Sequence, residues 1–280
     1  MSNTGPESST RPAASGTAGD RLRRPGGDPG EGRSRPLVGR APALLGPARV
    51  AALAALAVAL GLYYRYHASL PNTSTWADIA VLAFALMPAV LLLVYLVLPL
   101  RAARELQLLL LGAALAVLAL LLHQADLDAL SDFAKLGAMA FLAFWFLNFF
   151  EALWWVVLVA SIVPWVDAYS VWRGPTKNIT EHHGHVFTAL SVAFPVPGEN
   201  SAANLGLPDL LFFSLFLAAA SRFRLRVFAT WLGLTASFGA TIAIAVAWDK
   251  RGLPALPLLS VAFLLANGDL ILRRARAARK

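Results

Sequence analysis

The run WWVVLVASIVPWVDAYSV covers residues 154–171 and carries one acid, Asp167, near its end. A second run, GLPDLLFFSLFLAAA at 206–220, carries Asp209 close to its start. Runs of this length and apolarity are typical of helices that lie in a lipid bilayer. An ionisable side chain is costly there, so acids in such helices usually face a polar interior and have a function. The two aspartates are therefore the first candidates for a functional site.

The composition of the whole chain indicates a membrane protein. Of 280 residues, 58% are hydrophobic and only 14% are charged, and long apolar stretches recur along the chain. The net charge of +8 is concentrated in the termini and in short loops, which is typical of cytoplasmic flanks and argues against nucleic-acid binding. The chain has no cysteine, which excludes disulfides and thiol chemistry.

The distribution of apolar residues predicts an all-α polytopic membrane protein. Residues 1–47 are rich in Gly, Pro, Ser and Arg, so we expect a disordered basic tail there. N-terminal transmembrane helices then occupy 48–151, a core region occupies 152–272, and a basic cytoplasmic C-terminus follows at 273–280. The fourth and fifth spans are nearly continuous, so a tight turn is expected between them. Eight spans are predicted, at 48–66, 76–98, 106–122, 132–149, 152–172, 203–221, 226–248 and 253–272.

Charged residues in the loops predict how the spans are oriented. With eight spans the basic tail and the basic loops share one side of the membrane, and three acids lie on the other. The rule that positive loops stay inside then places both termini in the cytoplasm and the protein in the cell membrane. The basic loop positions are Arg101, Arg104, Arg222, Arg224, Arg226 and 273–280, and the acids are Asp126, Asp128 and Asp132.

The two candidate acids are predicted to lie at similar depth. Asp167 is 16 residues beyond Glu151, and Asp209 is 13 residues before Arg222. At the rise of an α-helix these separations correspond to about 24 Å and about 20 Å from the cytoplasmic face. Two carboxyls brought together in a low-dielectric site share a proton, as in aspartic proteases. Each acid also has a simpler interpretation, since Pro208–Asp209 suits a helix start and Asp167 suits a membrane interface.

The last predicted span begins with two prolines three residues apart, Pro254 and Pro257. Both cannot lie in a regular helix interior, so we expect extended or loosely turned backbone there, able to bind a substrate by strand addition. A proline-rich entry to a helix is the simpler alternative. The preceding connection, 173–202, is predicted to hold at most an edge strand near Val186–Pro197, because of its prolines.

Three segments together resemble one protein family. Asp167-Ala-Tyr-Ser-Val looks like the first catalytic motif of the presenilin and signal-peptide-peptidase intramembrane aspartyl proteases. Gly206-Leu-Pro-Asp209 is similar to their second motif, Gly-x-Gly-Asp, and Pro254-Ala-Leu-Pro257 matches their Pro-Ala-Leu motif. The order and approximate spacing agree, and the resemblance covers about 160–270. It implies a presenilin-like arrangement of the last four helices.

The resemblance also implies roles for individual residues. Asp167 and Asp209 would be the catalytic pair of an intramembrane aspartic endopeptidase, a hydrolase that cuts transmembrane segments or signal peptides. Gly206 would give the backbone freedom beside the second acid, and the 173–202 connection would help to form substrate-binding strands. Residues implied in substrate binding are Gly206, Leu207, Pro254, Ala255 and Leu256. The chain departs from the family at Val166, where Tyr is usual, and at Pro208, where Gly is usual.

Two other functions remain open on the sequence. A proton-coupled transporter would use the same acids as a relay, although no internal repeat of the transporter kind is evident. A catalytically inactive, presenilin-like scaffold would account for Pro208. No cofactor or metal is predicted, because the histidines near 182–185 are adjacent in a loop and favour a solvated segment. The expected partners are transmembrane or signal-peptide substrates and the lipid bilayer, not nucleic acid, with the oligomeric state left open.

Overall fold

A computed structural model describes residues 45–173, 190–248 and 253–278. For residues 171–173 and 278 it describes the backbone alone. The predicted tail and the histidine loop lie outside these residues, as does most of the 173–202 connection. Within the described ranges the chain forms nine α-helices and one two-stranded sheet. The elements are α1 Pro47–Tyr66, α2 Thr75–Val81, α3 Met87–Val97, α4 Glu105–Gln124, α5 Asp128–Phe146, α6 Leu153–Arg173, β1 Ser191–Pro195, β2 Ala202–Gly206, α7 Leu207–Arg222, α8 Val227–Ala247 and α9 Leu256–Ala278.

Short irregular helical segments continue or join these helices. A π-helical segment, Leu82–Leu86, links α2 to α3, and a 3₁₀ segment, Leu98–Ala102, extends α3, so that 75–102 forms one long pass. A further 3₁₀ turn, Leu147–Phe149, ends α5 and is followed by α6 from Leu153. The predicted tight turn between the fourth and fifth spans is therefore confirmed.

The protein is a helical membrane protein, with seven described helical segments long and apolar enough to cross a bilayer. Large apolar side chains are exposed on the outer helices; on α4 alone these include Leu106, Leu110 and Leu120. A water-facing surface of this kind would be unusual, whereas lipid tails solvate it. The seven segments are Pro47–Ser69, Thr75–Ala102, Glu105–Gln124, Asp128–Phe149, Leu153–Ser170, Val227–Ala247 and Leu256–Ala277.

The sixth predicted span, 203–221, differs from the helix that forms there. Residues 202–206 are a strand, because they pair with β1, and the helix begins only at Leu207. Its 16 residues reach about 24 Å, less than the thickness of the hydrocarbon core. Helix α7 is nevertheless the most enclosed helix of the bundle, with every residue from Phe213 to Ala220 fully buried.

Helix α7 occupies the centre because its neighbours pack on all its sides. It contacts α5, α6, α8 and α9. Phe216 stacks on Phe263 of α9, with ring centroids 4.9 Å apart, and Phe213 lies beside Phe238 of α8. Buried aromatic rings contribute most of the packing area at such contacts. The centre of the protein is therefore an apolar core around the helix that begins near Asp209.

The basic loops meet at one end of the bundle. Arg101 donates from Nε to Ser221 Oγ at 2.9 Å, and Arg222 donates to the Leu147 carbonyl at 2.7 Å. At this end Arg226 also forms a bidentate pair with Asp269. The segments around 101, 147 and 222 and the part of α9 around Asp269 therefore share a face, as the charge pattern predicts. The strand pair and the turn before α5 lie at the other end.

A glycine turn fixes the strand pair to the first helices. Gly198 has a φ of +73° and donates from its amide to the His67 carbonyl at 2.8 Å. A Cβ at Gly198 would lie 2.8 Å from the backbone nitrogen of Asn72. The turn therefore requires glycine both for its backbone angle and for its close contact with the loop after α1.

We expect Gly198→Ala to lower the free energy of unfolding by about 1–3 kcal/mol, because the left-handed backbone and the close contact are both penalised. Gly61→Ala is the matched control, since nothing lies within 4 Å of its Cβ position. Thermal unfolding of both variants in detergent checks the difference. A Gly198→Ala protein as stable as the control would contradict this account of the turn.

Candidate functional site

Asp167 lies on α6 and faces the start of α9. Its carboxylate Oδ2 accepts a hydrogen bond of 3.2 Å from the backbone amide of Leu256, the first residue of α9. The first amides of a helix have no partner within the helix and carry a partial positive charge. The side chains of Trp165, Val166 and Tyr169 instead point outward. Val166, where the family usually has Tyr, is 61% exposed, so its side chain is not part of this contact.

Asp209 occupies the third position of α7. Gly206 is the N-cap, and an acid in the first turn is favoured by the partial positive charge of the helix start. Asp209 is therefore placed near the helix N-terminus by local sequence, as the simpler interpretation of Pro208–Asp209 predicts.

Pro208 causes no loss of helical hydrogen bonds. It is the second residue of α7, where a backbone amide has no partner within the helix in any case. Its fixed φ favours the helical conformation at this point. The departure from the family pattern at Pro208 is thus compatible with a regular start of α7 that presents Asp209.

The lack of a side chain at Gly206 leaves space for the Asp209 carboxyl. A Cβ at this position would lie 3.2 Å from Asp209 Oδ2. The φ of −63° and ψ of 145° are accessible to any residue, so this conformation does not itself require glycine. The backbone freedom that the family resemblance implies for Gly206 stays a prediction.

We expect Gly206→Ala to displace the Asp209 carboxyl by a few tenths of an ångström and to reduce any Asp209-dependent activity about tenfold. Pro208→Ala is the control, since it changes the neighbouring residue without adding an atom beside the carboxyl. The ratio of the two activities at equal protein stability is the measurement. Equal activity in both variants would show that the close approach is unimportant.

The two candidate acids lie on neighbouring helices. Helix α6 contacts both α7 and α9, and Asp167 is close enough for its charge to act on Asp209. Both residues are partly buried, and the hydrogen bonds of the described residues include none between the two carboxyls. Asp167 accepts from the Leu256 amide, and Asp209 lies in the first turn of α7. Each acid is therefore placed beside a helix start.

The proline-containing segment lies directly beside Asp167. Leu253 and Pro254 are not helical, Ala255 is a bend, and α9 begins at Leu256 with Pro257 in its first turn. The predicted loosely turned backbone is thus confirmed for 253–255, while Pro257 matches the alternative of a proline-rich helix entry. Ala255 and Leu256 are both only 4% exposed, which places their backbone against protein.

Three buried hydroxyls lie deeper in the helix bundle. Ser214, Thr235 and Ser260 are at most 3% exposed, and their oxygens have no hydrogen-bond partner among the residues that the structure describes. Helices α7 and α9 run in the same direction, since Phe216 and Phe263 stack and each lies seven residues beyond Asp209 or Leu256. Ser214 and Ser260 are therefore at similar height, about 6–8 Å beyond those two residues.

Thr235 lies close to that height on the neighbouring helix. The Cβ position of Gly233 on α8 is 3.6 Å from Ala262 on α9, so Thr235 lies within about one helical turn of Ser260. Three hydroxyls at one height provide polar groups able to hold water between the helices. The interior next to the acids is therefore less apolar than its sequence suggests.

A buried ion pair anchors the strand pair, and sequence reasoning missed its role. Lys135 and Asp132 of α5 pair at 3.0 Å, and both are less than 10% exposed. Lys135 also donates to the Ser191 carbonyl at 2.9 Å, and Asp132 accepts from the Ala193 amide at 3.0 Å. The sequence does contain a signal for this pair, because a lysine three residues after an aspartate in an apolar helix indicates a buried ion pair.

Two tyrosines of α1 complete the outer edge of β1. Tyr64 donates its hydroxyl to the Ala193 carbonyl and Tyr63 donates to the Pro195 carbonyl, each at 2.8 Å. The outward backbone groups of β1 are thus bound by side chains from α1 and α5. The unpaired backbone groups of an edge strand can pair with another strand, but the outer edge of β1 is covered by these side chains. Strand β1 is fixed to the bundle.

Strand β2 presents the other edge of the pair. Residues of an antiparallel strand alternate between pairing with the partner strand and facing away from it. The backbone groups of Ser191, Ala193 and Pro195 point away from β2. In the register, Asn204 lies opposite Ala193 and Gly206 lies opposite Ser191, so the backbone groups of these two residues point away from β1. The backbone groups of Asn204 and Gly206 therefore lie on the outer edge of β2, leading directly to Asp209. The prediction of at most an edge strand near Val186–Pro197 is confirmed at Ser191–Pro195, since each strand of a two-stranded sheet is an edge strand, whereas its partner β2 falls within the predicted sixth span.

Leu207 lies on a different face of the site from Asp209. It lines an apolar cavity of about 160 Å³ between α4, α5 and the strand pair, together with Leu190, Ala138 and Met139. Pro254, Ala255 and Leu256 lie beside Asp167, and Gly206 lies beside Asp209. Within the described ranges no group of three or more metal-ligating side chains occurs.

No protein-family model matches the chain, and a search of curated proteins finds no match. The functional interpretation therefore rests on the residues and on their geometry.

Proposed function

We propose that the protein is an intramembrane aspartyl protease that hydrolyses peptide bonds within transmembrane segments or signal peptides. The observation that supports the proposal is the placement of Asp167 and Asp209 on neighbouring helices, α6 and α7, close enough for the charge of one to act on the other, with Asp167 bonded at the end of the non-helical segment that precedes α9. Acids in lipid-embedded helices are expensive to maintain without a function. The resemblance of the same residues to presenilin and signal-peptide-peptidase motifs supports this choice.

The chemistry requires one proton shared by the two carboxyls. The ionised carboxylate removes a proton from a water molecule, and the resulting hydroxide attacks the scissile carbonyl carbon. The protonated carboxyl gives its proton to the carbonyl oxygen, forming a tetrahedral diol. The carboxyl that took a proton from water then gives it to the amide nitrogen, and the other carboxylate takes a proton from one diol hydroxyl. The C–N bond breaks in this step, which yields a free carboxyl end and a free amine end and leaves one proton on the pair. No cofactor or metal takes part.

The neighbouring elements supply a site for an extended peptide. A helical peptide bond is shielded by its own hydrogen bonds, so a substrate must unwind before it is cut. The outer edge of β2, at Asn204 and Gly206, can accept such a segment by strand addition. This edge leads into α7 within three residues of Asp209. The Pro254–Leu256 segment borders the other acid.

The orientation belongs to the same proposal. The face that carries Arg101, Arg222 and Arg226 is placed in the cytoplasm of the cell membrane by the positive-inside rule. Both termini are then cytoplasmic, and the strand pair and the two acids lie toward the opposite side. Substrates entering from the bilayer would reach the acids in the outer half of the hydrocarbon core.

A reconstituted cleavage assay tests the function. The purified chain is placed in liposomes with a reporter whose single transmembrane helix carries tags at both ends. We expect fragments cut inside the helix, and we expect a peptide with a hydroxyl-containing transition-state isostere to block their formation. Intact reporter after prolonged incubation in several lipid compositions would contradict the proposal.

The same liposomes separate protease from transporter. A proton-coupled transporter would carry out solute or proton flux that depends on Asp167, with the reporter uncut. Flux without proteolysis would therefore replace the protease proposal, whereas proteolysis without flux supports it. An inactive scaffold would show neither activity and would not bind the isostere.

A further inference from the structure

A second cavity, polar where the first is apolar, lies at the basic end of the bundle. This end is on the opposite side of the protein from the two acids. It encloses about 370 Å³ and is lined by residues of α1, α3, the segment after α3, the end of α7 and the start of α8. The residues are Arg49, Tyr95, Leu98, Pro99, Arg101, Ser221 and Val227. Two guanidinium groups therefore border one cavity.

Within the described part of the chain, the cations around this cavity have no acidic partner. Salt bridges among the described residues join Lys135, His123 and Arg226 to aspartates, and none of them involves Arg49, Arg101 or Arg222. Arg222 is close enough for its charge to act on Arg101. No residue that lines the cavity is acidic. Cations held together without an acid favour binding of an anion.

Hydrogen bonds orient the central arginine. Arg101 uses Nε to donate to Ser221 Oγ, which fixes the side chain and leaves its two terminal nitrogens as possible donors. Arg222 is held by the Leu147 carbonyl beside it. A planar guanidinium fixed in this way suits the bidentate recognition of a phosphate.

Two helix starts add to the positive potential. Helix α1 begins at Pro47, two residues before Arg49, and α8 begins at Val227, which lines the cavity. The first amides of a helix favour anions nearby. The cavity also lies at the end of the apolar spans, where lipid headgroups are found.

From this geometry we infer an anion site that binds a phosphate group, most simply the headgroup phosphate of an anionic phospholipid. A basic cavity between transmembrane helices on the positively charged side is typical of such headgroup sites. Free phosphate offers the same chemistry, so the test must separate the two sources. The inference is independent of the protease proposal, because none of the lining residues belongs to the candidate catalytic site.

The test uses the full chain purified in detergent. Native mass spectrometry counts the lipids retained after addition of phosphatidylglycerol or phosphatidylcholine, and thermal unfolding is followed with each lipid and with inorganic phosphate. We expect retention of phosphatidylglycerol over phosphatidylcholine, and an increase in melting temperature with the anionic lipid. Equal retention and equal stabilisation by both lipids, with no stabilisation by inorganic phosphate, would overturn the inference without any variant.

The double variant Arg49→Gln/Arg101→Gln tests the cavity itself. Losing two charged donors should weaken phosphatidylglycerol binding about tenfold or more. Arg104→Gln is the matched control, since it removes an exposed positive charge from the same loop but does not line the cavity. The control should bind within about twofold of the unchanged protein. Undiminished binding by the double variant would overturn the inference.

The remaining arms identify the source of the phosphate. Stabilisation by inorganic phosphate that is lost in the double variant would assign the site to free phosphate, and stabilisation by phosphatidylglycerol alone would assign it to lipid. Arg101→Lys retains the charge but not the planar pair of donors and should weaken binding less than the double variant. Its binding also provides a result should the double variant fail to fold.

Discussion

Replacing either Asp167 or Asp209 by asparagine should abolish cleavage of a transmembrane reporter. Asparagine has nearly the same shape but can neither remove a proton from water nor supply one to the substrate carbonyl. Loss of a general acid or base typically lowers a rate about 10²–10⁴-fold. The two single variants and the double variant should be almost equally inactive, because residues that act as one unit are not additive.

Insertion and folding must be unchanged for this result to be informative. Asp128→Asn is a suitable control, since Asp128 lies at the start of α5, with its side chain 72% exposed, away from the two candidate acids. All variants should unfold at a similar temperature and should run as the same species in detergent. Cleavage at a normal rate by Asp167→Asn or by Asp209→Asn would end the protease proposal.

Breaking the buried pair on α5 should have the largest effect on stability. Lys135→Met leaves Asp132 without its cation and removes the donor to the Ser191 carbonyl. Removing one partner of a buried ion pair typically costs about 3–5 kcal/mol, since the other charge stays buried without compensation. Thermal or denaturant unfolding in detergent measures the loss. The effect should exceed that of any exposed charge, such as Arg104→Gln.

The double variant Asp132→Leu/Lys135→Met separates charge burial from anchoring. Replacing both charges with apolar residues should recover much of the stability lost in Lys135→Met. Activity should not recover, because the Ser191 carbonyl and the Ala193 amide would still lack their bonds to α5, which leaves the strand pair less firmly positioned by the tyrosines of α1. Full recovery of both stability and activity would show that the anchor is not needed to position the strand pair.

The sequence predicts the helical passes because apolar length alone specifies a helix in lipid. It also predicts the common face of the basic loops, which the bonds of Arg101 and Arg222 show directly. The similar depth of Asp167 and Asp209 in the membrane is a prediction from counting residues along two helices. Each of these predictions uses only the regular rise of the α-helix, which converts a separation in sequence into a distance along the helix.

The strand pair is less predictable, since it depends on side chains from distant helices. Pro195 discourages a strand, yet β1 forms because Tyr63, Tyr64, Asp132 and Lys135 bind its outer edge. Those residues are separated from β1 by about 60 to 130 positions in the chain. Local propensity contains no information about such contacts.

Gly206 and Pro208 have roles in the structure that differ from those suggested by the sequence motif. In the sequence, Gly206 suggests flexibility and Pro208 suggests a defect. In the structure, Gly206 provides space for the Asp209 carboxyl, and Pro208 occupies a helix position that needs no amide. Both residues therefore favour one fixed orientation of Asp209.

The most direct test of the central claim is photolabelling with a transition-state isostere that carries a photoreactive group. Such a ligand binds only where two carboxyls are arranged to hold the tetrahedral diol. We predict strong labelling of the unchanged protein, competition by unlabelled isostere, and loss of labelling in Asp209→Asn. Labelling that is absent from the unchanged protein, or that persists undiminished in Asp209→Asn, would contradict the claim that the two acids form one catalytic site.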